Sequence, residues 1–533
     1  MCAATDDWYR TAVMYEVMVR GFRDSNADGQ GDLAGVIEKM DHFSWLGVDC
    51  LWLLPFYESP LRDNGYDISD YTKVHPDFGS VDDVARLIDE AHRRGIRVVT
   101  DLVVNHTSDQ HPWFIESRSS RTNPKADWYV WGDDPERWSE ARVIFIDSEP
   151  SNWTFDEQRG QWFWHRFFSH QPDLNYDCPE VSDAIFDVMA QWLDMGLDGF
   201  RLDAVPYLFE RDGTNGENLP DTHRWLKELR SRVDASYPGR VLLAEANQPP
   251  REVVDYFGDG DECHMAFHFP LMPRLYAALR DHRAATIADA MADTPPIPDG
   301  CQWGIFLRNH DELTLEMVTA DEYAFMVAEY APDPAMVRNV GIGRRLYPLV
   351  DDDRRQVELL HSLLLSLPGT PVLYYGDEIG MGDRIELGDR DPVRCPMQWN
   401  DGPNGGFSEA PASALYLPAI GEGPYGAAER NVESSMADPS SFLVWLRAMI
   451  ELRHRHELFG LGTYEVLDAG HPSVFAYRRS HSEESVLCMV NVAEEAVVAS
   501  LRVGDTLASA DGVVNGGDAV ELGPYGWGWF SEA

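Results

Sequence analysis

Lysine is almost missing from this chain: Lys39, Lys73, Lys125 and Lys227 stand against 90 acids in 533 residues, and the net charge is −46. A field of that sign repels nucleic acid and anionic lipid, so neither is expected as a partner. The acids are dispersed along the chain and not gathered into a tail, which argues against a disordered acidic segment. Dispersed acid with so little lysine predicts a salt-adapted, halophilic surface on which counter-ions screen the self-repulsion. An ordinary acidic cytosolic protein is the alternative.

Other absences narrow the class further. No apolar run approaches the ~20 residues that cross a bilayer, and the opening Met-Cys-Ala-Ala-Thr-Asp-Asp has neither a basic nor an apolar leader region. A soluble protein without a signal peptide is expected. The seven cysteines (Cys2, Cys50, Cys178, Cys263, Cys301, Cys395 and Cys488) show no CxxC spacing. That points to neither a disulfide framework nor a zinc site, and to a reducing cytoplasm. No GxGxxG follows a strand and there is no P-loop, so no nucleotide or other organic cofactor is expected. No repeat of 20–50 residues occurs either.

What is present is alternation. Val13–Val19, Val48–Pro55, Ile96–Val104, Asp198–Val205, Arg240–Ala246, Cys263–Phe269, Cys301–Asn309 and Thr370–Gly376 read as strands. Several are nearly continuous in Val, Ile and Leu, as in parallel strands buried on both faces. Helical spacing fills the intervals: Val84, Leu87, Ile88 and Ala91 fall at i, i+3, i+4 and i+7, with Gly95 as the stop. The expected fold is therefore α/β, a closed (β/α)8 TIM barrel with its site at the C-terminal strand ends.

Two regions break the rhythm. Residues 106–177 are too long for a βα loop and hold seven of the 17 tryptophans, so they read as an inserted domain with an aromatic core. Gly402–Glu433, rich in Gly, Pro and Ala, reads as a surface loop, and Pro439 is expected to open the last helix. After Gly460 short alternating strands predict an antiparallel β-sandwich. The expected parts are 1–105 and 178–459 for the barrel, 106–177 for the insert and 460–533 for the C-terminal β-domain.

Three predicted strand ends carry acids: Asp203 in Gly199-Phe-Arg201-Leu-Asp203, then Glu245, then Asp311 in Asn309-His310-Asp311. Strand alternation puts Arg201 and Asp203 on one face, where the cation is expected to hold the carboxylate ionised. Alone this is equally a structural ion pair. With Glu245 and Asp311 at the same barrel mouth it suits glycoside chemistry. That reaction needs one carboxylate as nucleophile and one carboxylic acid for the leaving oxygen, roughly 5–5.5 Å apart in retaining enzymes.

Asp101-Leu-Val-Val-Asn105-His106, Gly199–Asp203, Glu245 and Asn309–Asp311 together resemble the four signature regions of the α-amylase superfamily, glycoside hydrolase family 13. The resemblance implies Asp203 as nucleophile, Glu245 as general acid/base and Asp311 as transition-state stabiliser. It implies Tyr66, Asp67, His106, Arg201, His310 and Arg394 as substrate-binding residues. Glu245-Ala-Asn-Gln248, Gly258–Phe269 and Leu307–Met317 are similar to the branch of the superfamily that interconverts maltose and trehalose by trapping glucose beside a covalent glucosyl-enzyme. That implies maltose, trehalose and glucose as ligands and some hydrolysis as leakage. A hydrolase of the same superfamily, and a non-catalytic carbohydrate-binding relative, are the alternatives. A homo-oligomer and a maltose kinase partner also enter as expectations.

Two cation sites are expected. Asp24, Asn26, Asp28, Gln30 and Asp32 alternate oxygen ligands around a glycine turn, as a Ca²⁺ or Mg²⁺ loop does, although an Asn/Asp-rich turn looks the same. By resemblance, a second Ca²⁺ site is implied at Asn105, Asp173 and Glu210 with the carbonyls of Tyr207 and Leu208.

Overall fold

The computed structural model describes residues 7–533, so Cys2 and most of the opening stretch read above lie outside the described residues. Eight parallel strands close into a barrel. They are β1 (Met14–Val17), β2 (Cys50–Leu53), β3 (Arg97–Val103), β4 (Gly199–Asp203), β5 (Val241–Ala244), β6 (Met265–Phe267), β7 (Gln302–Phe306) and β8 (Thr370–Tyr374). Each lies inside one of the eight predicted segments. Closure is made where Met14 on β1 pairs with Val372 on β8.

The strands are buried on both faces, which is why their sequences run apolar without alternation. The helices turn their stripes inward. In Val81–Arg93 the buried residues are Val84, Leu87, Ile88 and Ala91, and Ser80 and Asp83 close a capping box at its start. Each such Val, Leu or Ile contributes about 1.5–3 kcal/mol of burial.

The insert after β3 carries the helix Pro112–Ser119 and a three-stranded sheet with Gln161–Trp164 in the middle. Its tryptophans pack among themselves: Trp153 and Trp164 form a small core with Trp138 and Trp162 against it. The C-terminal part has a five-stranded and a three-stranded antiparallel sheet around its own core, which includes Val474, Met489 and Phe530. Buried Arg479 ties it to the barrel side by donating to the carbonyls of Ser366 and Leu458.

One boundary differs from expectation. The last long helix is Phe442–Arg455, not a helix opened by Pro439, because the Ser441 side chain caps it through the Val444 N–H. A short helix, Val432–Ala437, also starts inside the predicted loop, capped by Asn431. No helix among the described residues is long and apolar enough to cross a membrane.

Candidate active site

The C-terminal mouth of the barrel holds a cavity of about 850 Å³ that opens to solvent. Asp203 ends β4, Glu245 follows β5 by one residue, and Asp311 sits in the loop after β7. All three line the cavity, with Tyr66, His106 and His310.

Arg201 organises the acids from below. Its Nη1 reaches both Asp101 and Asp203, and its Nη2 lies 2.5 Å from Glu245 Oε1. Glu245 Oε2 accepts the Ala204 N–H at 3.0 Å, and Ala204 takes a left-handed conformation (φ 55°) to present it.

The expectation that Arg201 depresses the Asp203 pKa is not met. Burial, with the charges of Asp101 and Asp311, outweighs the arginine and pushes Asp203 up to about 6. Burial likewise pushes Glu245 up to about 8, against Arg201 and with help from Asp203 and Asp311. Burial also acts to raise Asp311, but the neighbouring His310, Arg390 and Arg394 outweigh it and hold that carboxylate well below its usual range. At neutral pH the site therefore carries ionised Asp203, protonated Glu245 and ionised Asp311. Burial lowers the buried His106 to about 3, leaving it neutral.

Three predicted binding residues, Asp67, Arg201 and Arg394, are not part of the cavity lining, Arg201 because it lies beneath the acids. Asp67 is fully buried and does not line the cavity; its oxygens accept from Ser59 Oγ, Arg62 N and Asp63 N. Asp63, four residues earlier and missed in the sequence, takes the wall, held by Arg390 and by Gln171 Nε2 at 2.9 Å. Arg394 stands behind the wall: its Nη2 holds Asp311 Oδ1 at 2.9 Å and its Nε donates to the His310 carbonyl. Arg390, also missed, lines the cavity and reaches Asp311 Oδ1 at 3.1 Å. Asp63 and Arg390 are 327 residues apart in the chain, so no spacing in the sequence signals that this buried carboxylate has its partner there.

The far wall was read only as motif letters. Arg142 from the insert pairs with Glu217 and, at 3.0 Å, with Glu316, and Asn247 donates to Glu316 at 2.7 Å. Phe145 and Phe167 of the insert close the side, with the Arg390 guanidinium 5.1 Å over the Phe145 ring.

The implied cation ligands divide into two cases. Asn105 Oδ1 and Asp173 Oδ2 are buried without hydrogen-bond partners. Burial and the charge of Glu210 push Asp173 well up, and burial pushes Glu210 up to about 8. Orphaned oxygens beside two desolvated acids fit a hard cation. Tyr207 and Leu208 lie on and just after the 3-10 turn Val205–Tyr207 following β4. Among the described residues no group of three or more His, Cys, Asp or Glu side chains is set to hold a metal. A cation here would therefore depend on amide and carbonyl oxygens as well.

In the other loop the side-chain oxygens accept local backbone N–H groups. Asp24 accepts from the backbone of Asn26, Ala27 and Gly29, Asn26 from Asp28, and Asp28 from Gln30. Asp32 caps the helix Leu33–Glu38 and the Gln30 side chain accepts from Arg20. These are the bonds of an Asn/Asp-rich turn, and Asp28 keeps its second carboxylate oxygen free of them.

Comparison with known proteins agrees with this geometry. Residues 16–331 and 343–462 match the family described as alpha amylase, catalytic domain, and residues 464–529 match the maltogenic amylase C-terminal domain. The chain is 60% identical to the trehalose synthase/amylase TreS of Mycolicibacterium smegmatis over 499 residues, covering 91% of this chain and 84% of the relative. It is 32% identical to the oligo-1,6-glucosidase of Parageobacillus thermoglucosidasius, covering 92% and 91%. Among solved structures, the trehalulose synthase MutB from Pseudomonas mesoacidophila superposes with TM-score 0.83 at 29% identity, covering 98% of this chain and 99% of that one. The chain belongs to the α-amylase family of glycoside hydrolases, in the branch that holds the trehalose synthases.

Proposed function

We propose that the enzyme interconverts maltose and trehalose by intramolecular transglucosylation, with minor hydrolysis to glucose. The charge order at the mouth carries the retaining glucosyl transfer: an ionised acid, Asp203, and a protonated one, Glu245, share one guanidinium. The 60% identity to a trehalose synthase/amylase carries the choice of isomerisation. Asp203 attacks the anomeric carbon of the non-reducing glucose of maltose. Glu245 gives its proton to the departing O4 of the second glucose, and Asp311 stabilises the oxocarbenium-like transition state. Glucose then turns within the pocket. Its anomeric hydroxyl loses a proton to Glu245 and attacks the glucosyl carbon, releasing Asp203. Two inversions give the α,α-1,1 bond. Water in place of glucose gives hydrolysis. Pure protein incubated with maltose is expected to yield trehalose as the main product; glucose alone would favour the hydrolase reading that the glucosidase relatives support.

Asp63 gives a test of the wall assignment. Asp63→Ala is expected to raise KM for maltose about 10–100-fold, the loss of a charged hydrogen bond. Asp67→Ala should act on the unfolding midpoint instead. Equal KM effects would contradict the assignment.

Ca²⁺ held by Asn105, Asp173, Glu210 and the Tyr207 and Leu208 carbonyls would pin the insert to the barrel and neutralise the buried acids. Chelation is expected to lower the unfolding midpoint by several degrees, with recovery on adding Ca²⁺. Elemental analysis that finds no bound metal, with no chelator effect, would refute the site, and a second equivalent would assign the Asp24–Asp32 loop. The remaining inferences are a cytoplasmic, salt-adapted homo-oligomer and a maltose kinase partner. Activity and stability that peak in dilute buffer would end the salt reading.

A further inference from the structure

His310 has a partner that the reaction above does not use. Glu16 is fully buried on β1, in register with Trp52 on β2 and Tyr374 on β8. Its Oε1 accepts the His310 backbone N–H at 3.2 Å and also faces His310 Nδ1 within hydrogen-bond distance. Its Oε2 is buried with no partner. The other ring nitrogen, Nε2, lies 2.8 Å from the Tyr66 hydroxyl and 3.3 Å from Asp311 Oδ2. The Tyr66 hydroxyl is itself placed to donate to Asp101 Oδ2 at 3.4 Å.

Counting protons decides what this arrangement is. A bare Nε2 lone pair would face the ionised Asp311 carboxylate at 3.3 Å, so Nε2 carries a hydrogen, and the Tyr66 hydroxyl accepts from it or turns to Asp101. Two lone pairs cannot face each other across the Nδ1–Oε1 contact, so a second proton lies between them. The pair thus holds two protons and is neutral overall, as acid with imidazole or as carboxylate with imidazolium. The surroundings agree. Burial, with Asp101 on β3 and Asp311 after β7, pushes the Glu16 carboxyl well up against the His310 backbone N–H and Arg201 on β4. As packing material a buried carboxyl with an orphaned oxygen is a poor choice.

We propose that Glu16 is a positioning residue of the glucosyl pocket: by sharing a proton with Nδ1 it fixes His310 as an Nε2–H donor toward Asp311 and the hydroxyls of the bound glucose. This rests on the mouth being the glucosyl site and not on which product forms. The opposite tautomer would present a lone pair to Asp311 and lose the donor.

Nitrogen NMR of ¹⁵N-histidine-labelled enzyme, with the His310 signals assigned by their loss in His310→Asn, tests the proton count without substrate. A protonated Nε2 at neutral pH is expected; an unprotonated Nε2 overturns the proposal. Kinetics test the role, read as maltose consumed whatever the product. Glu16→Met, similar in volume, is expected to lose at least about 100-fold in kcat/KM with no fall in unfolding midpoint. Glu16→Gln, whose amide N–H can donate to Nδ1 and leave Nε2–H in place at the cost of the bond from the His310 backbone N–H, should recover part of the loss, about tenfold over the Met variant. A Met variant within about threefold of the parent, or a folded Gln variant no better than Met, overturns it.

Discussion

Asp203→Asn converts maltose on the order of 10⁴–10⁶-fold more slowly than the parent, for isomerisation and hydrolysis alike. Both products pass through the bond that Asp203 forms, so neither can survive its loss. The fold has no reason to fail: Arg201 keeps Asp101 and Glu245 as partners, and an amide fills the same space. The variant also removes a like charge from beside Glu245. Its carboxyl is then expected to fall from about 8, since Asp203 is one of the groups raising it. Surviving turnover of either kind, in a folded sample, would refute the nucleophile assignment.

Glu245→Gln loses about 10²–10⁴-fold on maltose, the usual worth of a placed proton donor. A glucoside whose leaving group needs no proton should form the covalent intermediate at near-parental rate. The pH profile follows from the same two groups. Asp203 must be ionised, so kcat/KM falls as pH drops through about 6; Glu245 must be protonated, so it falls as pH rises through about 8. With the activated glucoside the Gln variant should keep the acid limb and lose the alkaline one. An alkaline limb that persists would assign that ionisation to another group.

The barrel was legible because burial on both faces leaves unbroken apolar runs, and all eight appeared. The three acids were legible because strand ends fix where side chains point. The loops were not. Asp63 and Asp67 lie on one loop that turns at Gly65 (φ 110°), where a Cβ would come within 2.8 Å of the Pro55 carbonyl oxygen. That turn sends Asp63 to the wall and Asp67 inward to Ser59, and no spacing rule gives its direction. Arg390, which joins Arg394 on Asp311 and lines the cavity, went unread for the same reason. The direction of the Asp203 pKa shift was misjudged because a local arginine is visible in a sequence, whereas burial by distant strands is not.

The central claim is that glucose released from maltose stays in the pocket until it is rejoined. Unlabelled maltose incubated with an excess of ¹³C-glucose tests it, with trehalose resolved and its label measured. Trehalose as the main product with almost no ¹³C is predicted. Trehalose labelled in proportion to the free glucose pool, or glucose as the sole product, would contradict it.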